Sequence, residues 1–509
     1  MFSKVSTCGL TGLEGYHIQV ETDISNGIPA FDIVGLGDTS VKEARERVKA
    51  AIKNSGFEFP IKRITVNMAP ADIRKEGSGF DFPLALSILA ASEIISEQSL
   101  KDYMFAGELA LDGSVRPVTG MLCKAIAAKE LGIRKFMVPA ENAREVSVVE
   151  GLEIYPVTSL KEAVDHFLDL VRISPAKYNH GLDDRDFITN EDFSEVKGQR
   201  NAKRALEVAA SGGHNILMIG SPGSGKTMLA RRLPTILPDL TFEEALEITK
   251  IYSVAGKLSQ NSPLISKRPF RSPHHTVSAV SLVGGGKYPK PGEVSLAHNG
   301  VLFLDEIPEF SRATLEVLRQ PIEDGAVHIS RINGSVTYPC RFMLVASANP
   351  CKCGYYGDPV RNCTCSFREA ENYLSRLSGP LLDRIDIHVQ VPTLKYSEIE
   401  NDRPEENSAE IKKRVDAARK IQQERYKRYG IYCNAHLKGS MIKEFCKVDN
   451  EGRKLLRQAF DKLNLSARSY DRILKVARTI ADLEGETLIN SRHISEAIQY
   501  RVLDRTMRI

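Results

Sequence analysis

Residues Gly220-Ser-Pro-Gly-Ser-Gly-Lys-Thr227 directly follow the apolar run Asn215-Ile-Leu-Met-Ile219. The pattern is G-x-x-x-x-G-K-[ST] in a strand–loop–helix setting, which is the spacing of a phosphate-binding loop. Gly220, Gly223 and Gly225 let backbone N–H groups turn inward onto phosphate oxygens, with Ser221, Pro222 and Ser224 completing the cradle. Lys226 supplies a point charge for the β- and γ-phosphates, and the Thr227 hydroxyl can hold Mg²⁺. The helix that follows, from Met228 to Leu233, aims its positive end at the nucleotide. ATP and Mg²⁺ are the ligands this pattern predicts.

Three further elements have the residue types that such a site needs. Gly300-Val-Leu-Phe-Leu-Asp-Glu306 is an apolar strand ending in two carboxylates. Asp305 would hold Mg²⁺ through water, and Glu306 would polarise the attacking water. Arg341-Phe-Met-Leu-Val-Ala-Ser-Ala-Asn349 is a second apolar strand, and the Asn349 amide is placed to orient the same water. Ser378-Gly-Pro-Leu-Leu-Asp-Arg-Ile-Asp386 contains Arg384, a candidate arginine finger for a neighbouring subunit's γ-phosphate. Arg468, at a helix start in Ser466-Ala-Arg-Ser-Tyr470, would reach the phosphates within its own chain. The catalytic set expected from these motifs is Lys226, Glu306, Asn349 and Arg384.

Cys351, Cys353, Cys363 and Cys365 fall within fifteen residues around a Gly- and Pro-containing turn. Four thiols so close suit a tetrahedral Zn²⁺. Their C-x-C spacing is tighter than the usual C-x₂-C, and free or redox-active cysteines in a loop are the alternative. Between the two carboxylates and Asn349 lies His328-Ile-Ser-Arg-Ile-Asn-Gly-Ser-Val-Thr-Tyr338, where Asn-Gly between alternating β-formers predicts a hairpin. Arg331, near its tip, is a candidate for a phosphate-backbone contact. The segment 268–290 interleaves Arg268, Arg271, Lys287 and Lys290 with Phe270 and Tyr288. Arg271 and Lys287 are candidates there for gripping DNA by charge and stacking.

These residues sit in a chain of 509 residues, too long for one core. A net charge of +4 is small for this length, so any nucleic-acid contact must come from local patches. The N-terminus has no signal-peptide core, and the longest apolar stretch, 82–95, is too short to span a bilayer. A cytoplasmic protein with no membrane contact is expected, and nine cysteines in that setting argue against a disulfide scaffold. Residues 1–170 mix β-type runs (16–20, 63–67, 136–138) with helical stretches (40–54, 122–131). Residues 171–191 are polar and read as a linker. Residues 192–395 alternate apolar strands with amphipathic helices, the pattern of an α/β domain with a parallel sheet. Residues 396–509 are helical, with Asn490 a plausible N-cap for the last helix.

Asp192-Phe-Ser-Glu-Val-Lys-Gly-Gln199 followed by these elements, in this order, resembles an AAA+ ATPase. The segments 268–276, 284–287, 291–300 and 378–386 are similar to its magnesium-chelatase-like branch. Over its whole length the chain is identified as a member of the YifB/ComM family, bacterial AAA+ proteins in which ComM is associated with branch migration during natural transformation. The resemblance implies an α/β fold in three parts. These are an N-terminal Lon-protease-like (ribosomal S5 domain 2-like) α+β domain, a central AAA+ domain with a phosphate loop, and a C-terminal helical lid. It also implies a homohexameric ring with ATP at subunit interfaces, Asn349 and Arg468 acting in cis and Arg384 in trans. Residues 74–81, 107–118 and 120–128 are similar to the Lon protease domain. Aligned by the Lys-acid-Gly before it, the Lon nucleophile position falls on Gly79 and its lysine near Leu122. Ser78 and Lys124 are then both out of register, and a non-proteolytic scaffold is expected. The function expected is an ATP-driven motor on single-stranded or branched DNA. The alternative is a magnesium-chelatase-type motor that remodels a protein partner.

Overall fold

In a computed structural model of the chain, the described residues are 1–35, 37–176, 191–259, 263–286, 289–331, 334–394, 400, 405–463 and 465–501. They divide into two compact units, one made of Met1–Asp186 with Phe242–Ser266, the other of Phe187–Thr241 with Lys267–Ile509. The first unit thus takes in a helix, Phe242–Ala255, from the middle of the stretch whose texture suggests one continuous domain. Most of the expected linker, 177–190, lies outside the described residues.

The first unit is built on a seven-stranded mixed sheet. Its strands are β1 (Phe2–Thr11), β2 (Glu14–Ser25), β3 (Ala30–Val34), β4 (Arg63–Ala69), β5 (Tyr103–Phe105), β6 (Lys135–Pro139) and β7 (Glu153–Val157), in the order β3-β4-β2-β1-β5-β6-β7. β1 and β2 pair antiparallel with Val5 opposite Val20. Along β2, Ile18, Val20, Thr22 and Ile24 are buried and their neighbours are not, the period of two of a strand with one wet face. The helix Asp81–Ala91 is buried at every position, which explains why its sequence is apolar on all sides. Its one charge, Asp81, is ion-paired with Arg47 at 2.7 Å, as a buried carboxylate requires. A second cluster on this unit joins Cys8, Met104, Leu122 and Phe136, and Leu246 of the inserted helix packs against it.

In the second unit, five strands are all parallel. They are β8 (Ile216–Ile219), β9 (Phe270–Arg271), β10 (Val301–Leu304), β13 (Met343–Ala348) and β14 (Ile387–Gln390), in the order β9-β10-β13-β8-β14. Every residue of β8, β10 and β13 is buried, so these strands read as continuous apolar runs without alternation. The expected hairpin is β11 (Ala326–Arg331) with β12 (Gly334–Pro339), antiparallel, with Ile329 opposite Val336; its turn, 332–333, lies outside the described residues.

The C-terminal part is helical, as its periodicity predicts, in Ser408–Tyr426, Asn450–Leu463, Ala467–Leu483 and Ser491–Gln499. Asn490 caps the last helix by accepting from the Arg492 and His493 N–H groups. Asp482 is fully buried among these helices. It accepts from Arg425 Nη1 (3.0 Å), Arg478 Nε (3.1 Å) and Asn434 Nδ2 (2.9 Å), which offsets the cost of taking its charge out of water. Among the described residues no helix is long and apolar enough to cross a membrane.

Candidate nucleotide-binding site

Because β8, β10 and β13 run parallel, the residues after each of them emerge at one edge of the sheet, the edge where open α/β folds bind ligands. Ile219 is opposite Ala348 in register, and Leu304 is opposite Ala346. The phosphate loop, the Asp305–Glu306 pair and Asn349 are therefore brought together by strand pairing, although 123 residues separate Lys226 from Asn349.

The contacts are those of a site set for a metal–triphosphate. Lys226 Nζ donates to the Gly220 carbonyl (2.7 Å), the Ser221 carbonyl (3.0 Å) and Asn349 Oδ1 (3.2 Å). Burial lowers the Lys226 pKa, and the charges of Asp305 and Glu306 work against that shift. Thr227 Oγ1 donates to Asp305 Oδ2 at 2.8 Å, so the two expected Mg²⁺ ligands already touch. The other Asp305 oxygen accepts from the Ser347 hydroxyl, which in turn accepts from the Glu306 N–H at 3.0 Å. Glu306 itself is exposed, with its backbone in the left-handed region (φ 51°), where a non-glycine residue is strained. The loop's glycines are needed for two reasons. Gly223 and Gly225 have φ of 79° and 93°, and a Cβ on Gly220 would lie 2.2 Å from the Val391 carbonyl.

Sequence reasoning missed three residues that hold this site. Ser347 reads as one more small strand residue. Gln199 ends the expected opening motif but has a structural task of its own: its Nε2 donates to the Ser224 carbonyl (3.1 Å) and to the Pro392 carbonyl (2.7 Å). Asp358, inside the cysteine loop, accepts from the Thr393 hydroxyl and lines one cavity with Ser221, whose hydroxyl helps to lower its pKa. None of these has a local signature, because each partner is distant in sequence.

Arg384 is not presented to solvent. Its Nη1 donates to the Pro380 carbonyl (2.6 Å), and its Nη2 pairs with Glu323 Oε2 (2.6 Å). Arg468 is exposed at the second position of the helix Ala467–Leu483. The basic segment differs more from expectation. Arg271 is held by Glu293 through two contacts, Nε–Oε2 at 2.6 Å and Nη2–Oε1 at 2.9 Å, a fork that commits its guanidinium to its own chain. Arg268 likewise donates to the Pro238 and Asn299 carbonyls, at 2.6 and 2.7 Å. Lys287 and the Arg331 side chain lie outside the described residues.

The four thiols converge. All of their sulfurs lie within 4.8 Å of one another, with separations of 3.3 Å (Cys351–Cys353), 3.7 Å (Cys351–Cys363) and 3.5 Å (Cys353–Cys363). Ligands on a tetrahedral zinc with bonds of about 2.3 Å stand about 3.8 Å apart, so the donor set fits that ion. Backbone N–H groups of Tyr355 and Thr364 hold Cys353 down at about 5, a thiolate at neutral pH, while burial raises Cys351.

In the first unit the structure corrects one alignment. A Cβ built on Gly79 would lie 3.0 Å from Lys124 Nζ. Lys124, and not Leu122, therefore lies against Gly79, the position that the Lon resemblance assigns to a nucleophile. The lysine is buried and its pKa lowered by desolvation, but residue 79 has no side chain to activate.

The fold and the assembled site define a magnesium-chelatase-like AAA+ nucleotide-binding protein. Three family profiles match it: magnesium chelatase, subunit ChlI, over residues 192–399; subunit ChlI of Mg-chelatase over 20–142; and the ChlI C-terminal family over 405–501. The chain is 45% identical to the protein YifB of Escherichia coli over 99% of its own length and 98% of that protein's. It is 43% identical to the competence protein ComM of Haemophilus influenzae over 97% and 96%. The chain belongs to the YifB/ComM family.

Proposed function

We propose that the chain is an ATP-hydrolysing AAA+ motor that assembles as a homohexamer and acts on single-stranded or branched DNA. The ATPase half rests on one observation: at the ligand edge of a parallel sheet, Lys226 already contacts Asn349 and Thr227 already contacts Asp305. Bound Mg²⁺ would neutralise charge on the phosphates, held by Thr227 and Asp305. Glu306, beyond the end of β10, is the residue free to orient water. The DNA half rests on the likeness to a competence protein. In this reading the first unit is a Lon-like scaffold without protease chemistry, since Gly79 offers no nucleophile to Lys124, and the C-terminal helices form the lid.

The deciding measurement is the ATP turnover rate alone, with single-stranded DNA and with four-way-junction DNA. Stimulation by either DNA is expected. A flat response to DNA, with stimulation by a protein partner instead, replaces this reading with the chelatase-type one that the family profiles' descriptions favour. DNA affinity should fall with salt at a log–log slope of roughly −0.7 per backbone contact on single strands. Arg331→Ala and Lys287→Ala should each flatten that slope by somewhat less than one unit and spare DNA-independent hydrolysis. Unchanged slopes in both variants would remove the hairpin and the basic segment from the DNA path.

The cysteine cluster is read as a Zn²⁺ site. Protein purified without chelator should contain about one zinc per chain. The double variant Cys351→Ser/Cys353→Ser should contain none. Equal zinc in both proteins would refute the assignment.

A further inference from the structure

The cysteine loop starts two residues after Asn349, and its backbone lies directly on the phosphate loop. A Cβ on Gly354 would stand 2.5 Å from Pro222 Cδ, so a glycine (φ 89°) is what permits the approach. Four residues on, Asp358 accepts from Thr393 Oγ1 (2.7 Å) and from the N–H groups of Val360 (2.8 Å) and Arg361 (3.0 Å), and it lines one cavity together with Ser221. The neighbouring hydroxyls, that of Ser221 foremost, and these N–H groups hold the carboxyl well below the usual aspartate range, so it is an anion at any physiological pH. An anion beside a loop that must attract triphosphate is unfavourable by charge alone. Its presence there is explained by what it holds. Ser221 and Pro222 are the two residues after the first loop glycine, and the Ser221 carbonyl is also a partner of Lys226. The turn that presents Gly354 and Asp358 is closed at both ends by the cysteine pairs 351/353 and 363/365, whose sulfurs converge. Beneath it, a cavity of about 400 Å³ is lined by Gly220, Ser221, Asp358, Phe367 and Val391.

We propose that this metal-closed turn is a brace for nucleotide binding: the ion at the four cysteines fixes the turn, and through Asp358 and Gly354 the turn holds Ser221–Pro222 in the phosphate-binding conformation. Asp358 is thus a positioning residue. It acts on affinity for ATP and not on the hydrolytic step, whose groups, Glu306 and Asn349, follow β10 and β13 and not β8, the strand that leads into Ser221–Pro222. The inference rests on the reading of this site as an ATPase site.

The test measures binding of a fluorescent ATP analogue, steady-state KM and kcat, and zinc content, on the full chain. Wild type, Asp358→Asn and the near-isosteric Thr393→Val are compared, each before and after a zinc-selective chelator with Mg²⁺ in excess. Asp358→Asn should raise the nucleotide Kd and KM about tenfold and change kcat less than about twofold, the loss expected for hydrogen bonds to a charged group. Thr393→Val should raise both by about threefold with its fold intact. Stripping zinc from wild type should weaken binding by the Asp358→Asn factor, and stripping it from Asp358→Asn should add nothing, because the two act through one contact. The proposal is overturned if Asp358→Asn binds nucleotide as well as wild type or better, which would leave only charge repulsion. It is equally overturned if zinc-free wild type binds as tightly as the loaded protein, or if wild type binds nucleotide while containing no zinc. Wild type that binds no nucleotide at all brings down the ATPase reading itself.

Discussion

Lys226→Ala is expected to abolish ATP binding and turnover together, whereas Glu306→Gln should bind ATP normally and hydrolyse it about 10²–10⁴-fold more slowly. The difference follows from where the two groups sit. Lys226 is buried within the loop, and its amine already spans the Gly220 and Ser221 carbonyls and Asn349. Its charge is the one that ground-state phosphates meet, and truncation leaves two loop carbonyls without their donor and the triphosphate without its cation. Glu306 is exposed beyond the end of β10 and accepts no contact from the phosphate loop among the described residues. Its carboxylate is open to water, so removing the charge should spare affinity and remove base catalysis. Nucleotide binding measured beside single-turnover hydrolysis separates the two. A Glu306→Gln protein turning over ATP at the wild-type rate would show that the second carboxylate is not the water-orienting group.

The strands of this site were legible because parallel strands covered on both faces leave a plain mark, a short unbroken apolar run. Once Ile216–Ile219, Val301–Leu304 and Met343–Ala348 were placed in a parallel sheet, the convergence of Lys226, Asp305 and Asn349 followed from geometry. What escaped depended on pairings that no local pattern records. Ser347 matters only because the register puts it next to Asp305, 42 residues away. Asp358 has the composition of an ordinary turn, and its partner Thr393 is 35 residues on. Arg271 carries the right charge for DNA, yet Glu293, 22 residues later, takes both faces of its fork. The helix Phe242–Ala255 buries Ala245, Ile248 and Ile251, and periodicity does not say which core receives them. The Lon-like spacing puts the lysine position near Leu122, whereas Lys124 is the residue against Gly79, because spacing across a glycine turn does not fix the rotation of the helix behind it.

Arg384→Ala is the second variant expected to have a large effect: turnover should fall about 10³–10⁵-fold with ATP binding retained. As a finger acting between subunits, its loss should be repaired by mixing. Rings formed from Arg384→Ala and Lys226→Ala chains contain interfaces that pair an intact pocket with an intact finger, and these should recover part of the activity. The local geometry sharpens the prediction. The Arg384 side chain is 8% exposed, and Nη2 is paired with Glu323. Among the described residues its Nε has no acceptor, and a cavity of about 440 Å³ lies against it, lined also by Glu316, Arg319 and His328. An arginine whose final task was the pairing with Glu323 would be expected to satisfy its Nε as well. One kept for a phosphate must leave donors open and a carboxylate it can exchange for phosphate oxygens. Glu323→Gln should therefore lower KM or leave turnover intact, since it weakens only the resting contact. If Glu323→Gln abolishes hydrolysis as fully as Arg384→Ala, and rings shown to be mixed recover nothing, the pair is a structural clamp and the γ-phosphate must be met by another cation.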